Sequence, residues 1–282
     1  MLLSWRAKRT RTEQKLLHKK LLVFDLDGTL TLSKSCMQPN MAKVLGALLR
    51  KYHVAIISGC GYEQMLEQFA KPLLMQIRNS NLFNGCVSRI HLLPMSGTSY
   101  YKWNKVERRF EPVYQENMSL REKAYILNAF DEALNECHIP IFKTYGDVEE
   151  DRGSQVTFSL LGQQAPLQEK EKLDPNATMR QRIRDKMIKK LPGFEVRIGG
   201  TTSIDVTYEG MDKAYGIIRL LKESKKYKKD TIFIGDSLFE GGNDESVKRT
   251  RIDCIEVSHV GETLEMLAIL AAKILHKEVE KK

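Results

Sequence analysis

From Leu21 the chain alternates short apolar runs with amphipathic stretches. The run LLVFDL opens the pattern, a helix-spaced stretch covers Met41–Tyr52, and HVAIIS follows, ending at Ser58. A further helix is expected from Tyr62 to about Gln68. Continuous apolar runs read as strands buried on both faces, and alternation with helices predicts a parallel sheet with crossover helices. Ligands of such sheets gather at the carboxyl ends of the strands. From about Thr98 the texture changes. TSYYKWNKVERRFEPVY reads as a hairpin turning near Asn104, and Ser119 with Glu122 forms a capping box for a helix to about His138. Strand-like IFKTYG and VTFSLLG, a helix from after Asn176 to about Leu191, and strands around FEVRI and TSIDVTY complete this stretch. The first pattern resumes after Asp212, with a helix over Ala214–Lys222, the strand TIFIG, a weaker strand near Cys254–Val257 and a last helix. The expected fold is therefore α/β, with a parallel-sheet core from residues 21–97 and 209–282 and an inserted α+β layer over 98–208.

Polar residues capable of chemistry stand where these elements begin or end. Asp25 and Asp27 close the first strand, Ser58 closes the second, Lys213 opens a helix, and Asp236 follows TIFIG. A carboxylate can attack phosphorus to form an aspartyl-phosphate, and a second can serve as general acid and base. Phosphoryl transfer otherwise needs positioning and charge stabilisation, which a lysine, a hydroxyl and loop amides supply. Asp25 and Asp236 could hold Mg²⁺, which takes one or two carboxylates beside water and phosphate.

Composition narrows the class. With 282 residues, 42% of them hydrophobic and 29% charged, the chain can bury a real core. The most apolar stretch, Leu264–Leu275, is too short to span a bilayer. Five scattered cysteines without a CxxC pair argue against a disulfide framework and a structural zinc site, and suit a reducing cytoplasm. Of the net charge of +9, two thirds sits in residues 1–20, where seven basic residues face Glu13 alone. That segment reads as a basic, solvated arm; RNA contact by it is the less favoured alternative.

The ordered set resembles the haloacid dehalogenase superfamily of phosphotransferases: DLDGT its first motif, IISG at Ile56–Gly59 its second, Lys213 its third and GDSLFEGGND at Gly235–Asp244 its fourth. The insert between the second and third motifs resembles the large caps of the sugar-phosphatase branch. Within that branch, DLDGTLT, IGGTTSIDV at Ile198–Val206 and EGMDKAYG at Glu209–Gly216 resemble the eukaryotic-type phosphomannomutases, with similarity from Leu21 to about Ala272. The resemblance implies a Rossmann-like core with a cap, Asp25 as nucleophile and Asp27 as acid and base. It implies Mg²⁺ held by Asp25, Asp236 and the Asp27 carbonyl, with Asp244 supporting. Arg152, Ser203 and Asp205 fall on positions for sugar and distal phosphate, and the family often dimerises through its cap.

Three positions depart from the family pattern. Where the family has arginines, this chain has Lys34, Gln163 (after Gly162) and Lys170. Arginine's planar fork grips a phosphate in a bidentate way that lysine and glutamine do not reproduce. Losing one such contact weakens distal phosphate binding by ~1.5–3 kcal/mol. A mutase needs that second phosphate site and a hydrolase does not. The first reading is thus a Mg²⁺-dependent phosphatase of a phosphorylated sugar or similar small metabolite. The alternatives are a phosphomannomutase and a non-catalytic binding protein with a nucleic-acid-binding arm.

Overall fold

The computed structural model of the chain describes residues 14–199 and 202–279, which form two compact units. The first comprises residues up to Tyr114 and from Asp212 onward; the second is Gln115–Met211.

The first unit is built on seven strands: β1 (Leu21–Phe24), β2 (His53–Ile57), β3 (Ile90–Leu93), β4 (Ser99–Asn104), β5 (Arg109–Gln115), and, from the second half of the unit, β10 (Thr231–Gly235) and β11 (Asp253–Glu256). Their order is β11-β10-β1-β2-β3-β4-β5, parallel from β11 to β3, with β4 antiparallel to β3. Strand alternation sorts the apolar residues onto two covered faces. Leu22, Phe24, Val54, Ile56, Leu92 and Ile234 pack with Met41, Phe69 and Leu270 of the helices on one face. Leu21, Val23, Ala55, Ile57 and Phe233 pack with Ile217 and Leu220 on the other. Each such side chain, when fully buried, contributes about 1.5–3 kcal/mol relative to exposure.

The second unit places β6 (Glu149–Asp151), β7 (Gln155–Ser159), β9 (Ser203–Tyr208) and β8 (Phe194–Gly199), in that order, in an antiparallel sheet. Val156, Phe158, Val196, Ile204 and Val206 face two helices, Leu120–Glu136 and Thr178–Lys190. The Ser119–Glu122 capping box is present and starts the first of them. The residues between the apolar ones in β7 and β9 therefore lie on the face away from the helices.

Four expectations need correction. The hairpin β4–β5 belongs to the first sheet, because His91 pairs with Lys102 and Leu92 with Tyr101; the inserted unit thus begins near Gln115. IFKTYG is not a strand: Ile141 is fully exposed, and Tyr145 instead exchanges hydrogen bonds with the turn after β7. Strand β3 and the helix Leu167–Leu173 are additional elements. Finally, the basic arm is shorter than residues 1–20. Residues 1–13 lie outside the described residues, but Leu16 is buried and the Lys19 ammonium, 7% exposed, donates to the Lys229 carbonyl at 2.7 Å and to Asp253 at 2.5 Å.

Candidate active site

The site grows from the ends of β1 and β10, which are neighbours in register from Leu21↔Thr231 to Phe24↔Ile234. Beyond Phe24 the amide of Asp25 still donates to Ile234 at 3.0 Å, and its side chain is 2% exposed. The chain then closes a turn, with Thr31 donating to Leu26 at 3.0 Å and Gly28 to Thr31 at 2.8 Å. Gly28 has φ +82°, and a Cβ there would run into the Asp236 carboxylate. Only glycine meets both conditions without strain. Thr29, fully buried, donates its hydroxyl to Asp236 at 3.2 Å.

Lys213 is the first residue of a helix ending at Glu223. Asp212 caps that helix, accepting from the amides of Ala214 at 2.9 Å and Tyr215 at 3.2 Å, and Arg249 pairs with its other oxygen. This fixes Lys213, 3% exposed, with Nζ 2.5 Å from Asp25 Oδ1 and 2.5 Å from Asp244 Oδ1. Asp244 has no exposed surface, and its second oxygen accepts from the Ser237 amide at 3.1 Å.

Two buried carboxylates therefore share one ammonium, leaving the group with excess negative charge. The consequences are visible in its protonation. Burial pushes the Asp25 carboxyl up to about 6, with Lys213 opposing and Asp244 reinforcing. Burial alone would lower Lys213, but Asp25 and Asp244 outweigh it and hold the ammonium above its ordinary value. One oxygen from each of Asp25, Asp236 and Asp244 lies within 4.8 Å of the others. An all-oxygen set short of positive charge fits a hard divalent cation.

Asp27 and Ser58 share this rim without a hydrogen bond to that cluster. Asp27 is half-buried, and its Oδ1 accepts from the Lys34 amide at 2.7 Å, Lys34 itself having φ +54°. Lys34 thus meets Asp27 through its backbone. Ser58 is buried and accepts from the Cys60 amide at 3.3 Å. Cys60 is close to both aspartates: burial pushes its thiol up to about 11, with the Ser58 hydrogen bond opposing and Asp27 and Asp25 adding. Buried Gln68, on a π-helical turn, brings its side-chain amide within 3.5 Å of Asp27 and accepts from the Met37 amide at 2.8 Å.

The remaining expected site residues lie in the second unit. Across its sheet Thr157 pairs with Asp205 and Asp205 with Arg197. Asp205 accepts from the Thr157 hydroxyl at 2.7 Å, and Ser203 is half-buried on the same face. Burial raises the Asp205 carboxyl, while the Thr157 bond, Arg152 and Gln155 oppose it. Arg152 donates to Glu150 at 2.7 Å. Gln163 and Lys170 form a separate pair, with Lys170 Nζ donating to the Gln163 carbonyl at 2.9 Å. The Gln163 side-chain Nε2 is buried and has no hydrogen-bond partner among the described residues. Thr29, Gln68, Thr157 and Gln155 were not legible as site residues. Thr29 alone carried a signal, its place inside DLDGT.

The Asp-x-Asp turn, the buried lysine and the acidic loop on a parallel-sheet rim are those of an enzyme of the haloacid dehalogenase superfamily. A family model, eukaryotic phosphomannomutase, matches residues 41–266. The chain belongs to that family. Among its relatives, the probable phosphomannomutase of Caenorhabditis elegans is 26% identical over 238 residues, 81% of this chain and 86% of that protein. The phosphomannomutase of Saccharomyces cerevisiae is 27% identical over 232 residues, 80% and 84% of the two chains. In fold, Plasmodium falciparum IMP-nucleotidase superposes with a TM-score of 0.68 at 21% identity, covering 92% of this chain and 65% of that one. Aspergillus fumigatus trehalose-6-phosphate phosphatase gives 0.56 at 14%, covering 94% and 97%. No helix among the described residues is long and apolar enough to cross a membrane.

Proposed function

We propose that this enzyme moves phosphoryl groups on a phosphorylated hexose through an aspartyl-phosphate on Asp25, with phosphomannomutase as its net reaction. The buried contact of Lys213 with both Asp25 and Asp244 carries the chemical part of the reading, because it holds one carboxylate oxygen fixed and charge-compensated. The family match favours the mutase over the hydrolase suggested by Gln163.

On this reading Asp25 attacks phosphorus, the bond to the ester oxygen breaks, and Asp27 gives that oxygen its proton. In the reverse sense Asp27 takes a proton from the sugar hydroxyl that attacks the aspartyl-phosphate. Lys213 and the Ser58 hydroxyl stabilise phosphoryl oxygens. Asp25, Asp236 and Asp244, with the Asp27 carbonyl, would hold Mg²⁺, which when bound neutralises charge on nucleophile and phosphate. Arg152, Ser203 and Asp205 are assigned to the sugar and its distal phosphate. Asp205 accepting from sugar hydroxyls would discriminate strongly among sugars.

A hydrolase is the second reading. It is favoured by a neutral amide at Gln163 and by lysines at positions 34 and 170, which weaken the grip on a second phosphate. Phosphorus NMR with Mg²⁺, mannose 1-phosphate and a trace of glucose 1,6-bisphosphate separates the two. Mannose 6-phosphate with little free phosphate is expected. Inorganic phosphate as the main product, absent with Asp25→Asn, would make the enzyme a phosphatase. No reaction in either sense would reject mannose 1-phosphate as substrate.

A further inference from the structure

The opposite rim of the first sheet carries a second concentration of ionisable groups that the reaction does not use. His53 opens β2, and its Nδ1 lies 2.9 Å from Nε2 of His91 on β3; His91 Nδ1 lies 2.6 Å from the Tyr100 hydroxyl on β4. His91 and Tyr100 are buried. The direction of this chain follows from proton accounting. Among the described residues the Tyr100 hydroxyl has no other acceptor, so it donates to His91 Nδ1. His91 Nε2–H then donates to His53 Nδ1. A neutral His53 therefore ends the chain with an Nε2–H donor.

Cations stand on the neighbouring strands and just after the helix on this face. The His53 amide donates to the Lys20 carbonyl at 2.9 Å, and the Val54 amide to that of Arg89 at 2.9 Å. His91 pairs with Lys102, and Lys226 follows the helix that covers this face. Lys20 is paired with Asp230 at 3.0 Å, and Arg89 donates to the Leu49 carbonyl at 2.8 Å. Lys102 and Lys226 have no carboxylate partner among the described residues. The crowding shows in both neighbours: burial, then Lys226, Arg89 and Lys102, push His53 down to about 4. Burial, then Lys20, Lys102 and Arg89, lower Lys226, with Asp230 opposing. Asp230 answers only part of this positive charge, and the excess is the complement of an anion.

We infer that His53 Nε2–H, Lys102 and Lys226 form a binding site for a phosphate-type oxyanion, separate from the catalytic carboxylates. The separation is set by strand length: β2 places His53 and Ser58 five residues apart, roughly 16 Å at the usual rise. One phosphate cannot serve both ends, and the inference does not depend on which reaction the enzyme performs.

The test is histidine-selective ¹⁵N NMR on the full-length protein at pH 7.5, titrated at constant ionic strength with inorganic phosphate and, in parallel, with glucose 6-phosphate. The His53→Asn variant assigns the resonance. A saturable shift of His53 Nε2, with a midpoint at least tenfold higher in Lys102→Gln/Lys226→Gln, is expected. Tighter binding of the ester would make the ligand an organic phosphate, and equal binding would make it the free anion. A linear drift, a shift that chloride reproduces, or a titration unchanged in the double variant would overturn the site.

Discussion

The two sheets handle charge in opposite ways. At the rim of the first, Asp25, Lys213 and Asp244 are each at most 3% exposed and locked at 2.5 Å. On the helix-free face of the second, Ser203 and Asp205 are half-buried, and Asp205 is held by a hydroxyl. Fixed charge in a dry site suits bond making and breaking, because no reorganisation is needed when the reaction occurs. A partly wet polar face suits recognition, where hydrogen bonds must be exchanged with a ligand's hydroxyls.

The largest expected effect lies at the rim. Asp25→Asn should lower turnover by ~10³-fold or more, measured as product formation by phosphorus NMR, since the nucleophile is lost. A loss of tenfold or less would place the nucleophile elsewhere. Lys213→Met should destabilise the fold by about 3–5 kcal/mol in urea titration, because it strands buried carboxylates. Added divalent cation should recover part of that loss; if it does not, the three aspartates do not form the cation site.

The Asp25 carboxyl also predicts a pH effect in EDTA. Its folded value of about 6 lies above its unfolded value of 3.8. The group therefore supports folding fully below about pH 4 and withdraws that support as pH rises to about 6. Metal-free Asp25→Asn should outlast the unsubstituted protein above pH 6 by on the order of 3 kcal/mol, with the gap closing below pH 4. Equal melting temperatures at pH 7.5 would deny the excess negative charge.

In the second unit the effects should be smaller. Gln163→Arg should raise the ratio of mannose 6-phosphate to free phosphate by ~10-fold, the equivalent of about 1.4 kcal/mol of distal phosphate binding. An unchanged ratio would separate residue 163 from the distal phosphate. Asp205→Asn should raise KM several-fold with kcat nearly unchanged; a fall in kcat alone would move Asp205 from recognition toward the chemical step.

The same contrast explains what could be read in the sequence. Asp25, Lys213 and Asp236 were legible because each follows a strand or opens a helix, a local signal that parallel topology converts into a shared rim. Gln68 was not, since its relation to Asp27 runs through the loop at Ser35–Met37 and the π-helical turn. The hairpin Ser99–Gln115 was recognised but given to the wrong sheet, because its turn and alternation are the same whichever edge it joins. Ile90–Leu93 was hidden by its own brevity and by His91, a polar residue satisfied only through partners on other strands. IFKTYG had strand composition without a strand to pair with.

The order of the chain has a consequence for how the protein is made. Asp25 is synthesised early, but its neighbours Lys213, Asp236 and Asp244 emerge only after the whole of Gln115–Met211. Strand β1 must wait for β10, whereas the second unit is continuous and can fold as it leaves the ribosome. Until residue 213 is available the Asp25 carboxylate has no counter-charge, and until residue 244 is available Lys213 lacks its second carboxylate. A nascent or C-terminally shortened chain should therefore be a client of chaperones and proteases, and no fragment ending before Asp244 should carry partial activity.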